Sequence, residues 1–266
     1  VSPRGAGNPS EAAASWKVGL AARSITPDRP VWLYGYRQKE RHRPFEGKLQ
    51  DLFVKALAIE DALGQRAVLL TLDLCVLRAR EAEALLRRVR TRTGLAAEQI
   101  LVNLSHTHSA PMIGAPDLGW YPMPDEAQAA TAAYTEQLFD RAAEAAEAAL
   151  ANPQPARLRR GTGAVAFPRN RRLFDAEGRY VRMGPNPDAA FDPRVPVLRV
   201  EDPDGALRAL VFGLSCHAVT LDKQNLALSG DFPGFAQAAV EARFPGVQAQ
   251  FVQGCGADVN SHPRGG

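Results

Sequence analysis

Short apolar runs bounded by glycine, proline and aspartate alternate along this chain with two stretches of helical period. The runs predict strands at 17–27, 52–60, 67–77, 100–105, 156–165, 192–201, 206–216 and 248–253, the last strand of the chain. Segments 61–66 and 202–205 carry turn signals, so the strands on either side of each pair as hairpins. Helical spacing runs over 80–93, with Ala82, Leu85, Leu86 and Val89 on one side and Gly94 closing the last turn. An alanine-rich helix follows over 125–151, anchored by Tyr134, Leu138, Phe139 and Leu150 and stopped at Asn152-Pro153. A third helix over 232–242 takes Asp231 as its N-cap.

The order strand 67–77, helix 80–93, strand 100–105 is that of a parallel α/β unit, whose ligands gather beyond the carboxyl ends of the strands. The fold class that follows is α/β: mixed β-sheets flanked by helices in a single large domain, 16–266, behind a flexible leader at 1–15 that has little to bury. The run 67–77 is apolar on both faces, as a central strand is, and Asp73 interrupts it. A buried carboxylate needs a partner, and hydrogen bonds from a neighbouring loop are the first expectation; orienting a metal-bound histidine is the second. Four segments read as loops. Residues 31–36 form an aromatic loop or short strand, 37–44 a charged, solvated connection with His42 near a mouth, and 113–124 a loop whose Trp120 and Tyr121 wall a pocket. The arginine-rich 167–173 lacks either period and reads as a solvated loop, or as a holder of anions.

Composition narrows the function. Of 266 residues 45% are hydrophobic, enough for a sizeable core, yet no apolar run is long enough to cross a membrane and the first 16 residues lack a signal-peptide core. The chain does not begin with Met, so a secreted or periplasmic location is open if a signal was removed, and a cytoplasmic one otherwise. A net charge of +3 without a dense basic block disfavours nucleic acid and leaves a small-molecule substrate. Cys75, Cys216 and Cys255 are odd in number and widely spaced, unlike a disulfide framework or a zinc knuckle.

The candidate chemistry lies at strand ends. After the apolar run at 100–105 come His106 and His108, which a continued strand would place on one face about 7 Å apart, one free to bind a metal while the other reaches the substrate. His217 arrives in the same way behind 206–216, and the glycine-rich turn 254–263 could bring backbone N–H groups to a ligand. Neutral imidazoles are favoured zinc ligands, so His106, His217 and an oxygen ligand make a plausible Zn2+ site.

Six motifs stand in one order: Ser-His-Thr-His-Ser-Ala-Pro (105–111), Asn-Arg (170–171), Asp-Pro-x-Val (192–195), Cys-His-Ala-Val-Thr-Leu (216–221), Ser-Gly-Asp (229–231) and Gly-Ala-Asp-Val-Asn (256–260). Together they resemble the N-terminal catalytic domain of the neutral/alkaline non-lysosomal ceramidase family from about residue 18 to 263. The resemblance implies zinc-dependent cleavage of the amide bond of ceramide. His106 and His217 would then hold Zn2+, while His108 and Arg171 contact the substrate or its tetrahedral intermediate. Two departures accompany it. Asn260 stands where the family's turn has its catalytic serine, with Ser261 one residue on, and an amide cannot act as nucleophile or proton relay. The family's remaining ligands, a glutamate and a tyrosine, lie downstream of this turn, so the resemblance implies a domain incomplete at its C-terminus. Two rival readings stand beside the amidohydrolase: a metallohydrolase of another ester or sugar-derived substrate, and a non-catalytic binding domain descended from the enzyme.

Overall fold

A computed structural model describes residues 16–36, 41–114 and 122–264; the leader and the pocket-wall residues Trp120 and Tyr121 lie outside them. The expected strand–helix–strand unit is present: β4 (Arg66–Leu72), α1 (Ala79–Thr93) and β5 (Ile100–Leu104), with β4 and β5 parallel. Gly94 ends α1 in the left-handed conformation at φ 71°, where a side chain would be strained. A second parallel pair, β10 (Leu207–Leu214) and β12 (Gln248–Gln253), encloses α3 (Asp231–Arg243). Antiparallel strands β1 (Trp16–Ser24), β3 (Phe53–Glu60), β6 (Gln154–Ala164) and β9 (Arg194–Glu201) join the two pairs into one mixed sheet of order β12-β10-β9-β6-β1-β3-β4-β5.

Alternation along β3 and β4 sorts the core into two faces. Val54, Ala56, Ala58, Val68, Leu70 and Leu72 meet α1 and α2 (Asp125–Ala151) on one side. The alanines of α2 keep that helix close: a Cβ on Gly19 of β1 would fall 1.8 Å from the Ala149 carbonyl oxygen. On the other side Val18, Leu57, Ala156, Val200, Ala209 and Val211 form a second cluster, because the sheet curls and its halves share an interior. Edge strand β12 therefore touches β4 and β5 at the far edge. Side chains complete the closure. Gln250 Nε2 donates to the Lys55 carbonyl at 3.0 Å, and Asn103 of β5 exchanges two bonds with the backbone of Gln253, at 2.8 and 3.1 Å. The curl thus brings the carboxyl ends of β5, β10 and β12 to one place.

Several expectations are corrected. The run 67–77 leaves the sheet at Leu72, so Asp73 lies past the strand, where its Oδ2 accepts the Phe53 N–H at 3.0 Å. Segment 167–173 is not a loop: β7 (Arg169–Phe174) pairs with β8 (Tyr180–Asn186) and with β13 (Val259–Asn260), so 248–253 is not the last strand either. Backbone pairing, rather than apolar alternation, makes this small sheet. The charged connection is not solvated throughout, since Arg41 has no exposed surface. Asp231 is the first residue of α3 rather than its cap, and its carboxylate turns back to bind Thr220 N and Leu221 N. The short pair β2 (Gly47–Lys48) and β11 (Ala227–Leu228) completes the described strands.

Candidate metal centre

At the end of β5 the backbone reverses. His106 takes φ 58°, a left-handed conformation uncommon outside glycine. The reversal draws His106 and His108 together, with Nε2 atoms 3.3 Å apart, in place of the spacing a continued strand would give. His217 enters from β10, its backbone N–H bonded to Val259 O at 2.9 Å, and its Nε2 lies 2.9 Å from His106 Nε2. Three imidazoles from two strand ends thus converge on one point.

Their other nitrogens set the tautomers. His106 Nδ1 faces the Cys75 carbonyl at 2.7 Å and His217 Nδ1 faces the Gly256 carbonyl at 3.1 Å. A carbonyl only accepts, so both Nδ1 atoms carry the proton and both Nε2 atoms present lone pairs to each other. Two lone pairs at that distance repel unless a cation lies between them. Nitrogen atoms sharing one tetrahedral ion at about 2.0–2.1 Å would stand roughly 3.3–3.4 Å apart, a few tenths of an ångström beyond the 2.9 Å between His106 and His217, so a slight parting of the pair would admit a small divalent ion. Burial, reinforced by neighbouring positive charge, pushes His108 down to about 2; burial also takes His217 to about 4 and lowers His106. All three are therefore neutral near pH 7, the form that binds metal.

Cys75, His106 and His108 make another group that could hold a metal, their ligand atoms lying within 4.8 Å of one another. Burial pushes the Cys75 thiol up to about 12, whereas the imidazole nitrogens are closer together and already unprotonated. His106 and His217, whose unprotonated Nε2 atoms face each other, are the better pair of donors, with His108 beside them. The residue that orients His106 is Cys75, through its carbonyl, and not Asp73.

Beside the histidines, Arg171 of β7 donates from Nη1 to Asn260 Oδ1 at 3.2 Å, and its backbone N–H binds Asp258 O at 2.8 Å. Burial lowers its pKa, yet a guanidinium stays charged, and that charge reaches all three imidazoles. Asn260 is fixed by β13 and by a bridge to His217. Ser261 turns elsewhere: its buried Oγ pairs with Thr220 Oγ1 at 2.9 Å. The glycine-rich turn contributes the Gly256 carbonyl that His217 Nδ1 faces, while Gly254 N and Gly256 N are bonded to Leu214 O and Gly254 O.

Two neighbours escaped the sequence reading. Arg41 donates to the carbonyls of His108, at 2.8 Å, and Asn225. Tyr36 packs edge-on against His108 with ring centroids 4.9 Å apart, and its hydroxyl donates to Leu221 O at 2.9 Å. Nearby Gly35, at φ 110°, lies where a Cβ would strike the His108 ring at 2.6 Å. That positive-φ glycine between two tyrosines was the available signal for Tyr36; Arg41 had none.

Among solved structures, the chain is similar to the neutral ceramidase from Pseudomonas aeruginosa, at 24% identity and a TM-score of 0.75 over 95% of this chain and 41% of that one. It is likewise similar to a ceramidase complexed with C2, at 24% identity and a TM-score of 0.74 over 93% of this chain and 39% of that one. The chain therefore spans about two fifths of the length of these structures. No curated protein sequence matches it. The family model of the neutral/alkaline non-lysosomal ceramidase N-terminal region matches residues 16–259, nearly the whole described chain, and the chain belongs to that family.

Proposed function

We propose that this chain carries the metal-holding part of a zinc-dependent hydrolase that cleaves the amide bond of a ceramide-like N-acyl lipid. The observation that carries the reading is the pair of unprotonated Nε2 atoms of His106 and His217, 2.9 Å apart with both Nδ1 protons committed to carbonyls. When bound, Zn2+ would supply Lewis acidity and lower the pKa of water toward neutrality. The chain's own residues do the rest. His106 and His217 hold the ion in a tautomer set beforehand. His108, neutral and adjacent to both, offers a hydrogen bond to the oxygen on which charge develops as the amide carbonyl is attacked. Arg171 adds a fixed positive charge at the same place, steadied by Asn260. No step is assigned to Ser261, whose hydroxyl is engaged with Thr220.

Metal content of the purified protein tests this reading directly. Wild type is expected to hold about one zinc per chain, and the His106→Ala/His217→Ala double variant almost none; full retention in that variant would refute the site. Hydrolysis of ceramide against simple acyl esters, measured on the full-length gene product, then separates the amidase from a hydrolase of other esters. Asn260 favours a second reading, a binding domain without turnover, because an amide supplies no nucleophile or relay. That reading expects zinc to bind and the full-length product to release no fatty acid.

A further inference from the structure

Two described residues other than glycine adopt positive φ: His106 at 58° and Asp231 at 54°. Left-handed backbone costs free energy at a non-glycine residue and persists only where its surroundings hold it. For His106 the reason is the metal centre. For Asp231 the surroundings point to the same place. Asp231 is 1% exposed, and its carboxylate accepts three backbone N–H groups: Thr220 at 3.1 Å, Leu221 at 2.9 Å and Phe232 at 2.6 Å. Thr220 and Leu221 belong to the loop that leaves His217, and Val219 N closes that loop onto His217 O at 3.0 Å.

The same turn grips the other histidine loop. Ser229 O accepts from Thr107 Oγ1 at 2.8 Å, and Ser229 N donates to Ser109 O at 2.9 Å. Thr107 lies between His106 and His108. Asp231 N donates to Ser229 Oγ at 3.0 Å, and Gln50 Oε1 accepts from Ser229 Oγ and Gly230 N, which fixes the turn from behind. One three-residue turn, Ser229-Gly230-Asp231, therefore binds the His106–His108 loop with its backbone and the His217 loop with its carboxylate. A buried carboxylate is costly to desolvate, and an amide cannot imitate it here, since one of its two heteroatoms would present N–H to N–H.

We propose that Asp231 is a positioning residue of the metal centre, clamping the His217 loop against the His106 loop so that their Nε2 atoms meet. The inference rests on the metal reading given above. Removing a group that orients ligands lowers metal affinity about 10–100-fold. Co2+ alone, titrated into the apo form of this chain in competition with a chelator and followed by its visible absorption, provides the test. Asp231→Asn is expected to weaken Co2+ binding by about that factor and to change the absorption band. Tyr134→Phe, which removes a hydrogen bond to Ile25 O on the far face of the sheet, serves as a stability control and is expected to bind Co2+ as wild type does. If Asp231→Asn does not fold, Ser229→Ala, which loosens the same turn, is expected to shift affinity in the same direction by a smaller factor. Wild-type affinity in whichever of these two variants is measured overturns the proposal, as does an equal loss in Tyr134→Phe at similar melting temperature. Failure of wild type itself to bind Co2+ overturns the metal reading and the clamp with it.

Discussion

A guanidinium with no solvent exposure must have its donors answered by the protein, and at Arg41 the answer falls on the histidine loops. Its two terminal nitrogens donate to His108 O and Asn225 O, and the cation lies over the Tyr36 ring at 5.0 Å. Replacing it with methionine keeps much of the bulk but leaves both carbonyls without these donors. Arg41→Met is expected to cost about 3 kcal/mol in the urea midpoint free energy, a cost typical of breaking a buried charged contact. A change within about 0.5 kcal/mol, the range of ordinary surface substitutions, would show the contacts to be incidental. At this scale legibility followed position in the pattern. His106 and His217 stood out because each follows an apolar strand run. Arg41 did not, because one buried arginine among charged neighbours leaves no mark in a sequence. Asp231 was visible as a residue beside a helix start, but its φ and its reach back to Thr220 depend on a chain reversal that no local spacing encodes.

Among the elements, those with strong internal period were legible nearly to the residue: α2, the Gly94 end of α1, and β12. The arginine strand β7 was not, because its partners are β8 and β13, elements too short or too polar to announce themselves. The closure of the sheet was equally hidden, since it rests on an amide side chain standing in for a strand. Asn103 supplies to Gln253 both a donor and an acceptor, so the backbone at the end of β12 is satisfied just before the turn that holds Gly256. Asn103→Ala would leave a partly buried N–H and carbonyl to find water. The expected cost is about 2 kcal/mol, read from a shifted urea midpoint at constant slope. An unchanged midpoint would mean that the sheet closes through its apolar interior alone.

For the whole molecule, the telling fact is where the two facing imidazole nitrogens of His106 and His217 come from. His106 follows β5 at one edge of the eight-stranded sheet, and His217 follows β10 beside the opposite edge. An ion shared by them would join the two halves of the curl in the folded state and have no such site in the unfolded chain. Binding and folding are then linked, and stability rises with free metal as RT ln(1 + [L]/Kd). At a hundredfold excess over Kd the gain is about 2.7 kcal/mol. For a chain of this length that corresponds to roughly 5–10 °C in melting temperature. Calorimetric scans of zinc-loaded and chelator-treated protein are expected to differ by that amount, while His217→Ala melts at one temperature under both conditions. Coincident melts of the loaded and stripped wild-type protein, at a zinc concentration where binding is verified, would mean that zinc binds the unfolded chain equally well. A closed site across the curl could not then be its resting place. A shift that survives in His217→Ala but vanishes in Cys75→Ala would instead move the ion to the group of Cys75, His106 and His108.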